Sequence, residues 1–458
     1  MFSKARRSRL IACFTAFVLI AQPFAASAGL IRDAEIEHTL RFYSNPLFTA
    51  ANITPQDVRI FIVQDPSLNA YVAGGLNIFI HTGIIRAAKK PGMLIGVIAH
   101  ETGHISGAHL SQFNEKTTRA TIGGLIGAAI GAAATVGGAG QAGMGVILGS
   151  QSMAQRTLNS DIRLNEQSAD HAALTLLDAN DISATGMLEM FETLHRSEMG
   201  SGASGGTKDK YMMTHPLTSE RIATMRNHIN QSTIPANQVP DGTPAMHARM
   251  VAKLVAFTES YETTLNMYPP TDTSVAARYA RAIAEFKRSK LAAALAGINE
   301  LIQQYPKDPY FYDTKGQILF ENGKLAEAAK AYEQASRLAP DSALIVTDHA
   351  KTLIAQNDNA LLPRAIALLE RSKEMDDSYG MTWRQFAIAY GKQGKLGLSY
   401  ASLAEEAALS GDYHSVLQHV ARARQNVNNN GALALLLDDL ERDAKTQIEI
   451  KKNREKIF

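Results

Sequence analysis

The sequence predicts an α+β fold, mostly helical, in two parts: a mixed N-terminal domain with a short sheet, then an all-α domain of paired helices. Three observations predict it. Short β-branched runs between residues 59 and 80 read as strands, apolar residues recur at helical spacing from Gly92 to Leu110, and prolines 34 residues apart (Pro306 and Pro340) mark a repeat in the Ala-rich second half. The chain has 458 residues, 45% hydrophobic and 20% charged, enough for roughly two to four domains and too apolar for a mostly disordered chain. Lys plus Arg is 46 against 44 for Asp plus Glu, so the net charge is +2. No basic stripe is present, and a nucleic-acid partner is not expected.

The first 28 residues read as an export signal. Lys4, Arg6, Arg7 and Arg9 form a basic start, Leu10 to Ala21 is an uncharged apolar run, and Ala26-Ser27-Ala28 supplies small residues for cleavage after Ala28. The run is short for a retained membrane anchor. Cys13, the only cysteine, sits at the start of that run, so a lipoprotein signal is rejected. The exported chain then carries no disulfide. Arg59 to Val63 reads as a strand, and Asn69 to Ile80 as two strands around a turn at Gly74-Gly75. Helices are expected over Gly92 to Leu110, over Leu158 to Leu177 with Asn159-Ser160-Asp161 as capping residues, and over Ile182 to Glu198. A flexible Gly/Ser stretch, Gly200 to Gly206, follows. Thr121 to Ser150 has no charged residue and is built largely of Gly, Ala, Ile and Val. It is long enough to span a bilayer but too rich in glycine for a good helix, so membrane contact through 121–150 stays open beside a mobile loop or a tight hairpin.

The three prolines of Ser232 to Pro244 mark a linker. The expected organisation is a signal peptide (1–28), a first domain (29–231), a Pro-rich linker (232–245) and a helical repeat domain (246–458). The 34-residue period is that of tetratricopeptide helix pairs. Gly316, Ala328, Tyr332, Ala335 and Pro340 occupy the small, small, aromatic, small and proline positions of one unit. Small residues let the two helices meet, the aromatic fills the groove, and proline ends the second helix. Ala280 and Ala292 suit the preceding unit, and Ala350 and Ala365 the next. Trp383, Ala387 and Tyr390 begin a fourth pair, while Val416, Val420 and Ala423 end a fifth. Such a stack is expected to form a concave binding surface.

His100-Glu101-Thr102-Gly103-His104 is an H-E-x-x-H motif within the apolar helix. Histidines at i and i+4 project from one face, so both imidazoles can hold one zinc ion, and Glu101 is placed to take a proton from the zinc-bound water. Gly103 costs helix propensity, which implies a close approach at that point. A third ligand is required. His109 falls one place early for a histidine three residues after Gly107, a position Leu110 holds. Glu166, with Asp170 one turn on, is preferred. Glu166 then binds the metal, and Asp170 accepts a hydrogen bond from a ligand imidazole.

HETGH, followed by NEQSADHAAL and THPLTSERI, resembles the zinc metallopeptidase family that includes HtpX and the CAAX prenyl endopeptidases. The resemblance spans nearly the whole exported chain. It implies a zincin-like metalloprotease domain, with His100, His104 and Glu166 holding one zinc ion per chain and Glu101 as catalytic base. It also implies that His215 of the His215-Pro216 pair caps the zinc at rest or stabilises the transition state, and that Asn69-Ala70 belongs to a substrate-side edge strand. The role of Arg221 stays open. The signal peptide and repeat tail resemble the family's exported branch, which serves outer-membrane β-barrel assembly. The implied function is that of a periplasmic zinc endopeptidase in quality control or assembly of outer-membrane proteins, with possible chaperone activity. Its substrates would be unfolded or stalled outer-membrane proteins, and its repeat domain would engage the assembly machinery. A repeat-domain chaperone or adaptor with a structural metal, and a membrane-anchored protease, are the alternatives.

Overall fold

A computed structural model describes residues 29–107, 162–203, 215–426 and 431–455. The capping residues Asn159-Ser160-Asp161, His109 and the segment 121–150 lie outside the described residues. Strand β1 (Leu30–Ile31) leads into helix α1 (Ala34–Ala50), whose cap Asp33 accepts hydrogen bonds from the amides of Glu35 and Ile36. Strands β2 (Arg59–Val63), β3 (Ala70–Ala73) and β4 (Asn77–His81) complete a four-stranded sheet of order β1-β2-β4-β3. The expected hairpin is present: β3 pairs antiparallel with β4, and Gly74 and Gly75 turn between them at φ 61° and 96°, which side-chain-bearing residues rarely adopt. β2 runs parallel to β4, so the hairpin packs beside β2 with β3 left on the edge.

After α2 (Thr82–Ala87), helix α3 (Pro91–Ser106) carries the motif and closes at Gly107, inside the span expected from sequence. Every residue of α3 from Pro91 to Gly103 is buried, which explains why Pro91 to Ala99 is apolar all round. Residues 162–178 form α4, and α5 (Thr185–Ala203) follows. The start of the expected Gly/Ser stretch is therefore helical to Ala203, propagated from the buried Met187, Met190, Phe191 and Leu194. Helix α6 is Ser219–Gln231. The Pro-rich stretch that follows is tied to the α4–α5 corner, because Ser183 donates its amide to Gln238 O at 2.9 Å.

Helix α7 (Thr243–Thr258) buries Met250 and Leu254 in the N-terminal core but Ala252 and Ala256 in the core of the repeats. Among the described residues, α8 (Tyr261–Met267) is followed by five contacting helix pairs: α9 (Val275–Lys287) with α10 (Leu291–Gln304), α11 (Pro309–Glu321) with α12 (Leu325–Leu338), α13 (Ala343–Ala355) with α14 (Leu362–Met375), α15 (Gly380–Lys392) with α16 (Leu396–Leu409), and α17 (Tyr413–Arg424) with α18 (Ala432–Glu455). Val416, Val420 and Ala423 lie in the first helix of the last pair, not its second.

Part of the face expected to bind partners is already occupied. Helix α1 lies against the first helices of the early pairs. Glu35 meets Tyr279 Oη at 3.0 Å and Arg249 at 2.6 Å, while the buried Lys253 sits 2.8 Å from Asp33, 3.6 Å from Glu35 and 3.9 Å from Asp313. A cavity of about 810 Å³ remains between α1, β2 and the third helix pair.

Acids outnumber bases at this junction, and burial pushes Asp313 up to about 8 even though Lys253 opposes the shift. A carboxyl group whose folded pKa stands above its unfolded value of about 3.9 favours folding while protonated. Its contribution to stability is complete in acid, falls as pH rises, and levels off beyond about 8. Asp313→Asn is therefore expected to raise the melting temperature, by a margin that widens from pH 5 to pH 8.5. Thermal melts across that range check it, and a margin independent of pH would show that Asp313 titrates normally.

Candidate active site

Three segments converge on one point. Helix α3 presents His100, Glu101 and His104, α4 presents Glu166 and Asp170, and the loop before α6 brings in His215. Close packing of the two helices makes this feasible. A Cβ on Gly103 would fall 2.6 Å from the carbonyl oxygen of Ala169, so no larger residue fits there, as its place in the motif implied.

His100, His104, Glu166 and His215 each offer one donor atom, and all four atoms lie within 4.8 Å of one another. His104 Nε2 and His100 Nε2 are 3.1 Å apart, His104 Nε2 and Glu166 Oε1 3.3 Å, and His100 Nε2 and His215 Nδ1 3.4 Å. His215 Nδ1 stands 3.0 Å from Glu166 Oε1. Tetrahedral zinc with bonds of 2.0 to 2.1 Å spaces its ligands about 3.3 Å apart. The donor set and its spacing thus fit one such ion, with His215 inside the set as a fourth donor.

The surroundings support that fit. Glu101 is fully buried, and neither of its carboxylate oxygens has a hydrogen-bond partner among the described residues. His215 Nε2 stands 3.7 Å from Glu101 Oε1. A buried carboxylate without such partners costs free energy unless a cation or a proton donor is supplied. Burial opposes charge on His100, yet Asp170 and Glu166 overcome it and hold the imidazole up at about 9. Burial would raise Glu166, but the three imidazoles around it, His215 foremost, keep it well below the usual carboxylate range. The pocket is thereby built for positive charge.

Behind the donors lies a second layer. Asp170 Oδ1 sits 3.0 Å from His100 Nδ1, which leaves Nε2 turned to the other donors. Arg221 grips Asp170 with Nε at 2.6 Å and Nη2 at 2.8 Å, and reaches Glu166 Oε2 with Nη1 at 2.9 Å. The same Nη1 donates to Pro216 O at 2.8 Å. Arg221 therefore both pairs with the carboxylates and holds the His215-Pro216 loop, two roles that sequence could not separate. Phe191, which sequence reasoning missed, stacks beneath the guanidinium at 5.3 Å and meets His100 edge-on at 5.6 Å. One aromatic in an apolar helix gives no signal of such a contact. Asn69 and Ala70 lie apart from this cluster, at the start of edge strand β3, against which α3 packs.

Residues 33–229 match the family model described as peptidase family M48. This span, under half of the chain, holds every donor, Glu101 and Arg221, and the chain is a metalloendopeptidase. Its relatives are more particular. It is 25% identical over 406 residues to the beta-barrel assembly-enhancing protease of Yersinia pestis, covering 84% of this chain and 78% of that protein. The protein of that name from Escherichia coli K12 is 23% identical over 335 residues, covering 69% and 65% of the two chains. A putative beta-barrel assembly-enhancing protease of Vibrio cholerae is 22% identical over 414 residues, covering 87% and 81%.

Loss of an outer-shell partner typically weakens metal binding 10- to 100-fold. Arg221→Met is expected to do so in chelator competition while keeping the helical content of the wild type. Unchanged metal retention in the folded variant would reduce Arg221 to a loop tether.

Proposed function

We propose that this chain is a periplasmic zinc endopeptidase acting in the quality control or assembly of outer-membrane proteins. The observation that carries the reading is Glu101: a fully buried carboxylate, without a hydrogen-bond partner among the described residues, beside four clustered donors. A structural metal site needs no such base, which disfavours the chaperone or adaptor with a purely structural ion. Zinc is the ion that suits three imidazoles and a carboxylate. The names of the relatives support outer-membrane proteins as substrates and the assembly machinery as partner of the repeat domain. The basic, apolar and small-residue blocks of residues 1–28 support export. Among the described residues no helix is long and apolar enough to cross a membrane, and the membrane-anchored reading rests on 121–150 alone.

His100, His104 and Glu166 hold the ion, which when bound polarises the scissile carbonyl and acidifies water. Glu101 takes the proton from the attacking water, keeps it on a carboxylate oxygen in a dry pocket, and delivers it to the departing amine nitrogen. Asp170 fixes the His100 ring, and Arg221 fixes Asp170 and Glu166 in turn. His215 has two faces. Its Nδ1 lies among the donors, and its Nε2 points towards Glu101. We read it as a gate that fills the water position at rest and yields when its loop moves. In the other role, it stabilises negative charge on the carbonyl oxygen.

Glu101→Gln is expected to retain zinc while losing peptide hydrolysis by about two orders of magnitude or more. Comparing outer-membrane proteomes of cells carrying this variant and wild type tests the cellular role. Full activity at equal zinc content would remove Glu101 from the mechanism. If His215 is the gate, His215→Ala raises basal cleavage, self-cleavage included, with the Glu101→Gln/His215→Ala double variant silent. A rate below wild type in folded, zinc-loaded protein would favour the oxyanion role.

A further inference from the structure

The sheet carries a feature that neither the donors nor the fold requires. On the face opposite the buried Ile78, Ile80 and Ala70, three rings line up across three strands. Phe61 pairs with Phe79 across β2 and β4, with ring centroids 4.9 Å apart and planes at 17°. Phe79 pairs with Tyr71 across β4 and β3, at 5.1 Å and 13°. All three rings are half-buried. Tyr71 is kept in place by His81, which meets it edge-on at 5.9 Å and is itself held at Nδ1 by Ser67 Oγ at 2.9 Å. The stack stops at Tyr71 because β3 is the last strand of the sheet among the described residues.

We propose that Tyr71 is a specificity-determining residue, selecting extended substrate segments that place an aromatic ring opposite it. The inference rests on the peptidase reading, with β3 as the substrate-side strand. A segment adding antiparallel to β3 brings alternate side chains onto the face of Tyr71, with directly opposed Cβ atoms about 5 Å apart. The rings of Phe61 and Phe79, and of Phe79 and Tyr71, already stack across neighbouring strands at centroid separations of 4.9 and 5.1 Å. An aromatic there becomes the fourth ring of the ladder, whereas an alanine leaves the tyrosine face against water. The favoured class is therefore a β-strand-forming segment with an aromatic at one position and tolerance at its neighbours, whose side chains point to the other face. Strands of outer-membrane barrels, with aromatic girdles on one side, have this pattern.

The test uses the full zinc-loaded chain and internally quenched peptides that differ only in a single Ala-to-Phe replacement, walked along the sequence. Wild type is expected to show a gain of about two- to tenfold in kcat/KM at one register, chiefly through KM. Tyr71→Phe should keep that preference. Tyr71→Thr, a good strand former without a ring, should lose it, so that its kcat/KM is the same for the Phe-bearing and the all-alanine peptides. An aromatic preference that persists in Tyr71→Thr, or none in wild type, overturns the proposal. Should wild type cut none of the peptides, the peptidase reading fails and this inference fails with it.

Discussion

The site depends on how closely three helices approach one another. On α3, Gly103 faces the backbone of Ala169 in α4, and a Cβ on Gly96 would fall 2.5 Å from Met187 Cβ in α5. Glycine inside a helix costs about 1 kcal/mol each relative to alanine. Burial of α3 from Pro91 to Gly103 offsets that loss, since every residue from Pro91 to Ala99 is apolar or glycine. Side chains as short as histidine and glutamate can converge from two helices only if the backbones nearly touch. The packing is thus the cause of the donor cluster.

A second constraint is electrostatic. Glu101, Glu166 and Asp170 are all buried, yet only two of them are satisfied by Arg221. Leaving the third without a hydrogen bond costs stability, and functional sites are where such losses are retained. Arg221 also fixes the chain entering α6, so charge compensation and placement of His215 are a single event. A lysine there would supply charge but not the fork that grips two carboxylates and a carbonyl together.

Local and periodic features were legible in the sequence. The hairpin follows from Gly74-Gly75, the motif helix from its apolar spacing, the Glu166–Asp170 face from a single turn, and the repeats from their period. What was not legible depends on pairs of residues hundreds of positions apart. Nothing in the spacing announces that Glu35 meets Tyr279, that Lys253 is buried against Asp33, or that Arg32 reaches Asp376 at 2.8 Å. The place of His215 Nδ1 beside Glu166 and His100 likewise depends on where a loop settles. Sequence gave that residue two roles with one imidazole, and its two nitrogens face the two corresponding sides.

Those long-range contacts change how the two domains can communicate. Helix α7 belongs to both cores, and its His247 Nε2 lies 2.8 Å from Ala88 O, three residues before α3 begins at Pro91. The repeats are therefore joined to the base of the motif helix by a rigid element as well as by the Pro-rich stretch. A partner that binds the repeats equally well in two arrangements shifts neither, however tightly it holds. One that prefers an altered packing of α1 against the first helices of the repeats must displace Glu35 from Arg249 and Asp33 from Lys253. Both cations lie on α7, so that displacement acts on the helix that braces α3. Coupling between a partner bound to the repeats and the donor pocket would then require no contact between that partner and His215, only a difference in affinity between two packings of one shared helix.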